Sequence, residues 1–372
     1  MKILAKPFLL LFIIHLLLVG CNTTEKSYIN ISSVQVLTGQ MSKYGKTLQA
    51  ALETEMEIIN GQRIKDGQNQ IILKTYDDKL DPKTGVSCIN QAISIDKSIA
   101  VIGALGSSVT MAMAPIAEKN KVVLISPASG APDISTAGVY IFRTCPSDIY
   151  EAEVISKYYQ EKDNAKSLAI LYINNDYGLG LKDGFLNSLK SGKENVLTLA
   201  FKQGESDFRN MLLKIKSEGI QVVYVVGYEE MVAIFNQAKE MNLSCKWLGN
   251  NQMNDLAMLK KIGIAADGAI FPGHQYDIEK IKAENPEFFK LYMQKSNNVE
   301  LDVFAAYGVD ALLLIDYALK HGAKTGEDIQ KAINNIKDFK GFTGTFSFDK
   351  NGDPIRELAL YEVKNAQMVK IN

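Results

Sequence analysis

The sequence predicts an α/β fold built as two doubly wound parallel-sheet lobes. Short runs rich in Val and Ile alternate with amphipathic stretches from Tyr28 onward, the pattern of repeated βαβ units. The runs are apolar throughout rather than alternating, as strands covered on both faces require. After a helical stretch with no strand partner of its own, a second set of such runs starts near Leu168, which divides the strands between two sheets.

In chain order, strands are expected at 28–37, 70–76, 99–104, 121–125, 168–173, 195–201, 221–226 and 268–272. Helices are expected near 45–60, 83–96, 109–119, 149–162, 179–190, 207–218 and 229–241. The segment 285–336 reads as mostly helical. The segment 342–363 reads as strand, turn, strand, with the turn at Asp349-Lys-Asn-Gly-Asp-Pro354, a cluster of residues that favour tight turns. Asp81 before Pro82 reads as an N-cap followed by a proline in the first helical turn.

The composition describes an ordinary globular chain of 372 residues, 47% hydrophobic and 22% charged, with a net charge of −1, long enough for two domains. No basic excess marks it for nucleic acid. The four cysteines, Cys21, Cys88, Cys145 and Cys245, form no C-x-x-C pair, so neither a zinc signature nor a dense disulfide framework is indicated. His15 lies in the N-terminal apolar run, and His274 and His321 stand alone. No metal or cofactor is expected.

Residues 1–20 read as a targeting segment: Lys2 and Lys6 precede an apolar stretch from Phe8 to Val19 that is short for a membrane span. It ends in Leu18-Val19-Gly20-Cys21, which resembles the lipobox of bacterial lipoproteins, where the cysteine is lipidated. Cys21 is thus the expected lipidation site, and NTTEKS a short tether to a membrane that the chain does not span. Loss of the two lysines with this segment takes the net charge from −1 to −3.

Enzyme signatures are not met. There is no G-x-S-x-G elbow, no H-E-x-x-H and no P-loop. Asn174-Asn-Asp-Tyr-Gly178-Leu-Gly180-Leu-Lys-Asp-Gly184 follows a strand and opens a helix, but it spaces its glycines G-x-G-x-x-x-G, one residue off the dinucleotide fingerprint. Asp77-Asp78 with Asp81 reads as a solvated turn rather than a metal site. The junction Gly103-Ala-Leu-Gly106-Ser107-Ser108 is more suggestive. An apolar strand stops at a glycine and a helix opens on two hydroxyls, where unpaired helical N–H groups can hold an anion.

Nine stretches together resemble the branched-chain amino acid binding proteins of ABC transporters. They are TGQMSKYG (38–45), IING (58–61), TYDDKLDP (75–82), VIGALGSS (101–108), LISPASGAP (124–132), FRTCPSD (142–148), NNDYGLG (174–180), VVGYEEM (225–231) and FTGTFSFDKNGD (342–353). The resemblance covers about 28–365. It implies a type I periplasmic binding protein fold, with a hinge and an interlobe ligand cleft. It also implies three crossovers, giving one lobe of 28–147 plus 275–340 and a second of 148–274 plus 341–372.

The resemblance also implies the ligand contacts. Ser107, with Ser108 beside it, binds the α-carboxylate. Ala128 and Gly130 meet the amino acid's polar end. At Gly130 the family often has a Thr or Ser hydroxyl, for which Ser129 is a substitute. Tyr44 lines the mouth of the apolar pocket, Tyr177 and Tyr228 close over the ligand from the second lobe, and Asp148 lies near the ammonium. Asn251 departs from the pattern, since the amino-acid receptors place a glutamate there. The family's disulfide has no counterpart, its positions falling at Lys79 and Gly106. The implied protein is a monomeric, non-enzymatic, lipid-anchored receptor that delivers a small aliphatic amino acid or related carboxylate to an ABC permease. A sensor serving a membrane receptor, or a receptor for an amide or another small acid, are the alternatives.

Overall fold

A computed structural model describes residues 28–163, 167–192, 195–274 and 277–371; the targeting segment and Cys21 lie outside them. The first sheet is wholly parallel, in the order β2-β1-β3-β4-β5. Its strands are β1 (Ile29–Gln35), β2 (Ile71–Asp77), β3 (Ala100–Gly103), β4 (Val123–Ser126) and β5 (Ile141–Arg143). Its helices are α1 (Ser42–Lys65), α2 (Pro82–Ser94) and α3 (Ser107–Asn120). β3 and β4 are buried at every residue, as a central apolar run demands. The edge strand β2 is only partly covered. Asp81 caps α2 as expected, its carboxylate accepting from Thr84 N at 2.8 Å with Pro82 opening the helix.

The second sheet has the order β14-β13-β10-β9-β8-β6-β7. Its parallel part comprises β6 (Leu168–Ile173), β7 (Leu197–Phe201), β8 (Val222–Val226), β9 (Lys246–Leu248) and β10 (Ile270–His274). Around it lie α4 (Asp148–Tyr158), α5 (Asp176–Ser188), α6 (Arg209–Ser217), α7 (Glu230–Glu240) and α8 (Leu256–Ile262). After β10 the chain forms α9 (Ile278–Glu284), α10 (Pro286–Lys295), α11 (Val303–Lys320) and α12 (Gly326–Asn334). Both α10 and α11 pack on α1, back at the first sheet. A hairpin of β11 (Phe339–Gly341) and β12 (Gly344–Phe346) follows, and then β13 (Leu358–Lys364) and β14 (Gln367–Lys370) rejoin the second sheet antiparallel to β10 and to each other.

The turn expected at 349–354 forms, with Asp349 N donating to Asp353 O at 2.8 Å. Its two flanking strands, however, join different partners. β12 pairs with β11, while β13 pairs with β10. β5 and β9 escape sequence reading because three residues each are too few to show a period.

The glycine series after β6 serves packing. A Cβ on Gly178 would fall 1.9 Å from Ile173 O, and one on Gly184 would fall 2.8 Å from the Ala152 Cβ on α4. Gly180 faces the other lobe: a Cβ there would meet Pro132 Cδ at 2.5 Å. Cys88, Cys145 and Cys245 are free thiols.

Candidate functional site

Where β3 gives way to α3, Gly106 takes the N-cap position in extended conformation with no side-chain cap. A side chain at 106 would run into Leu80 Cδ1 at 2.6 Å, so packing beneath the turn accounts for this glycine. Ser107 then opens the helix, 2% exposed, at the end that carries partial positive charge. Its hydroxyl accepts from Ala131 N at 3.3 Å. Ser108 looks across the cleft, its Oγ accepting from Asp176 N at 3.3 Å.

The loop after β4 lies against this turn. Ser126 Oγ donates to Ala104 O at 2.6 Å and accepts from Ser129 N at 2.9 Å. The Ser129 hydroxyl bonds Thr110 Oγ1 at 2.8 Å and lies 3.1 Å from Ala104 O. It therefore stitches two loops of the first lobe together, and Ala128 is the residue of this loop that reaches the cavity. At Gly130 the space of a side chain is taken by Asp148, whose Oδ1 lies 1.9 Å from where a Cβ would stand. The Gly130 carbonyl accepts from Asp148 N and from Arg143 Nη1, both at 2.8 Å.

Arg143 anchors the loop. Fully buried at the end of β5, it donates to Asp353 Oδ1 at 2.6 Å, Ser135 Oγ at 2.5 Å and Ala131 O at 3.0 Å.

The second lobe contributes Tyr177, at the start of α5, and Tyr228, after β8. Their rings stack at 5.1 Å and 12°. Tyr177 OH donates to Asn251 Oδ1 at 3.2 Å and accepts from Asn250 Nδ2 at 2.8 Å. Burial and the nearby carboxylates Glu151 and Asp148 hold the Tyr177 phenol far above its usual range, so it stays protonated as the donor.

The cavity between the lobes is lined on one side by Met41, Tyr44, Leu105, Ser107, Ala128 and Phe304, and on the other by Tyr177, Tyr228 and Gln252. In this closed arrangement it measures about 10 Å³, room for about one water, so admitting a larger solute requires the lobes to part. A wider open groove of about 460 Å³, bordered by Asp277, Phe342 and Tyr361, shares no residue with the cleft.

Polar bonds hold the lobes together around the cavity. Tyr44 OH and Lys43 Nζ both donate to Asp255 Oδ2, at 2.6 and 2.9 Å, and Gln40 Nε2 donates to Glu230 Oε1 at 2.6 Å. Burial pushes the Asp255 carboxyl up, but the Tyr44 and Lys43 bonds outweigh it and hold it below the ordinary range. The aspartates near β2 have structural work: Asp77 accepts from the Leu37 and Lys79 N–H groups and Asp78 from Leu80 N.

Of the residues singled out in the sequence, Tyr44, Ser107, Ala128, Tyr177 and Tyr228 line the cavity together. Ser108 bridges the lobes, Ser129 turns inward, and Gly130, Asp148 and Asn251 lie just behind the wall. Sequence reading missed Met41, Leu105, Gln252 and Phe304 on the wall and Glu151 behind it. Glu151 did leave a trace: it falls on the same helical stripe as Ala152 and Ile155, a buried face.

Two lobes closed over a small cavity, with a helix N-terminus on one side and an aromatic stack on the other, define a solute-binding protein. The chain belongs to the periplasmic binding protein family, whose pattern it matches over residues 28–367. It is 29% identical over 349 residues to the Leu/Ile/Val-binding protein of Escherichia coli, covering 91% of this chain and 92% of that one. The branched-chain amino acid transporter substrate binding protein from Streptococcus pneumoniae, solved with isoleucine, superposes with a TM-score of 0.80 at 27% identity, over 93% of this chain and 100% of that one. An ABC transporter solute binding protein from R. palustris, solved with benzoate, shares the fold, with a TM-score of 0.80 at 22% identity over 93% of this chain and 96% of that one.

Proposed function

We propose that the protein captures a small aliphatic amino acid, or a related carboxylate, by closing its lobes around it, and hands it to an ABC permease. The lobes are 28–147 with 275–340 and 148–274 with 341–372. The observation that carries this reading is the placement of buried Ser107 at the α3 N-terminus, opposite the Tyr177–Tyr228 stack of the other lobe across a cavity whose remaining wall is apolar except for Tyr44 and Gln252. A carboxylate suits the helix end, and an aliphatic side chain suits Met41, Leu105 and Phe304. Closure draws contacts from both lobes, so ligand shifts the population toward the closed form. The names of the relatives support the same reading, and no group is asked to do covalent chemistry.

The test is thermal unfolding of the purified protein against aliphatic amino acids, amides and simple carboxylates. A ligand at a hundred times its dissociation constant stabilises by roughly 2.7 kcal/mol. Ser107→Ala is expected to weaken that ligand by about 1.5–3 kcal/mol, the worth of a hydrogen bond to a charged group, with the fold intact. Unchanged affinity would remove Ser107 from the site.

We further propose that Cys21 carries a lipid anchor, on the strength of the LVGC sequence at the end of the apolar run. Cys21→Ser is expected to move the protein from the membrane pellet to the soluble fraction. Retention in the pellet would refute the anchor.

A further inference from the structure

The five parallel strands of the first lobe run in register, with Ile29 beside Ile71, Ala100 beside Val123 and Leu124 beside Ile141. Their starts therefore share one end of the lobe, its base, opposite the strand ends that lead to Ser107 and Ala128 in the cleft. Helix α1 joins the two ends. Tyr44 near its start lines the cavity. Asn60 near its end grips Ile71 at the start of β2, donating to the carbonyl at 2.9 Å and accepting from the N–H at 2.8 Å. At 24 residues, α1 is about 36 Å long, and the cleft stands roughly that far from the base.

A large exposed hydrophobic residue lies beside four of the five strand starts. Tyr28 precedes β1 and is 48% exposed, Ile64 in the last turn of α1 precedes β2 and is 58% exposed, Ile95 at the end of α2 precedes β3 and is 70% exposed, and Val139 precedes β5 and is 60% exposed. Any one of them alone would need no explanation. In the strand order β2-β1-β3-β4-β5 they fall in a row along the base. Exposed lysines stand among them: Lys65 next to Ile64, Lys97 two residues past Ile95, and Lys121 before β4. The acids close by are engaged within the protein. Asp66 accepts from Gln62 Nε2, Asp96 from Tyr76 OH and Glu118 from Tyr140 N, while Glu327 pairs with Lys121.

A row of apolar side chains interleaved with lysines matches a bilayer that carries anionic headgroups, the apolar groups entering the interface and the ammonium groups meeting phosphates. The attachment point of the tether says what covers this face. The described residues begin at Tyr28, in the row itself, and seven residue steps separate it from Cys21. Seven steps reach at most about 25 Å. A chain anchored at Cys21 thus keeps the base within that distance of the bilayer, at high effective concentration. The same tether, shorter than α1, is too short to let the molecule stand on its cleft end.

We propose that the base of the first lobe is a membrane-contact surface, on which the anchored protein stands against an anionic bilayer with the cleft held away from the lipid. The inference rests on the reading of Cys21 as the anchor.

Amide exchange read by mass spectrometry tests it on the full-length protein reconstituted in vesicles of phosphatidylcholine and phosphatidylglycerol. The comparison is an Ile95→Asp, Val139→Asp double variant in the same vesicles, changed only at positions that are mostly solvent-exposed. Segment 64–70, unaltered in the variant, is expected to exchange roughly tenfold more slowly in the wild type, while cleft segments 104–110 and 174–180 exchange alike in both. A Lys65→Glu, Lys97→Glu variant is expected to lose the slowing at 137–140. On phosphatidylcholine alone the slowing is expected to shrink, because the lysines lose their partners. Wild-type protein that pellets with the vesicles yet exchanges at its base like the variants overturns the contact and leaves the anchor standing. Protein that does not pellet overturns the anchor and this orientation with it. Equal slowing on phosphatidylcholine alone refutes the part assigned to the lysines.

Discussion

Arg143→Met is expected to cost about 3–5 kcal/mol of stability, the range for removing one partner of a buried ion pair. The arginine is fully buried and its carboxylate partner Asp353 has a side chain only 8% exposed. Removing the guanidinium leaves that carboxylate without its cation and strips donors from Gly130 O, Ala131 O and Ser135 Oγ at once. Water does not easily replace these bonds so far inside, and each orphaned group carries its own desolvation cost. The loss should appear in urea unfolding as a lower midpoint with an unchanged slope. Ligand affinity should fall with it, since the loop carrying Ala128 and Gly130 loses its anchor. A loss under about 1 kcal/mol would show that the loop is held by Ser126 and Thr110 instead.

Gly180→Leu is expected to do the reverse: to spare stability and abolish tight binding. Gly180 lies inside α5, where leucine is the better helix former by roughly 0.8–1.0 kcal/mol at most. In the closed form the new Cβ would meet Pro132 Cδ of the opposite lobe at 2.5 Å. Parting the lobes relieves the clash, so the open form should be unharmed or slightly stabilised while closure is blocked. Only the closed form joins Ser107 to the tyrosine stack, so affinity should fall by roughly tenfold or more. Ligand-induced compaction in solution scattering should disappear. A variant that still compacts and binds normally would mean that the lobes approach along another path.

The parts of the molecule legible in the sequence are those fixed by local chemistry. The buried runs 99–104, 168–173 and 221–226 form strands because nearly every residue in them is apolar and β-branched or aliphatic. Asp81 caps its helix and the 349–354 turn closes for reasons contained within a few residues. Ser107 is legible because a glycine-bounded strand end followed by hydroxyls puts a helix start where an anion can sit.

What could not be read depends on residues brought together from far apart. Ser129 looks like a spare hydroxyl for the ligand, yet Thr110 and the Ala104 carbonyl claim it. Gly130 looks like a lost hydroxyl, yet its space holds the Asp148 carboxylate. Glu151 looks like an ordinary helix residue, but its helix buries that face against the lobe boundary, where Asn251 N reaches it from 100 residues away.

The sequence by itself determined the two-lobed α/β architecture, the order of strands and α-helices up to residue 241 apart from the three-residue strand β5, and the candidate carboxylate position, because hydrophobic period, capping and turn chemistry act over neighbouring residues. The tertiary structure alone decided which strand joins which sheet after residue 339, which glycines serve lobe contact, and which buried carboxyl groups stand behind the cleft wall. Those outcomes depend on which side chains compete for the same space and the same hydrogen bonds once the chain has folded, and that competition has no period along the sequence.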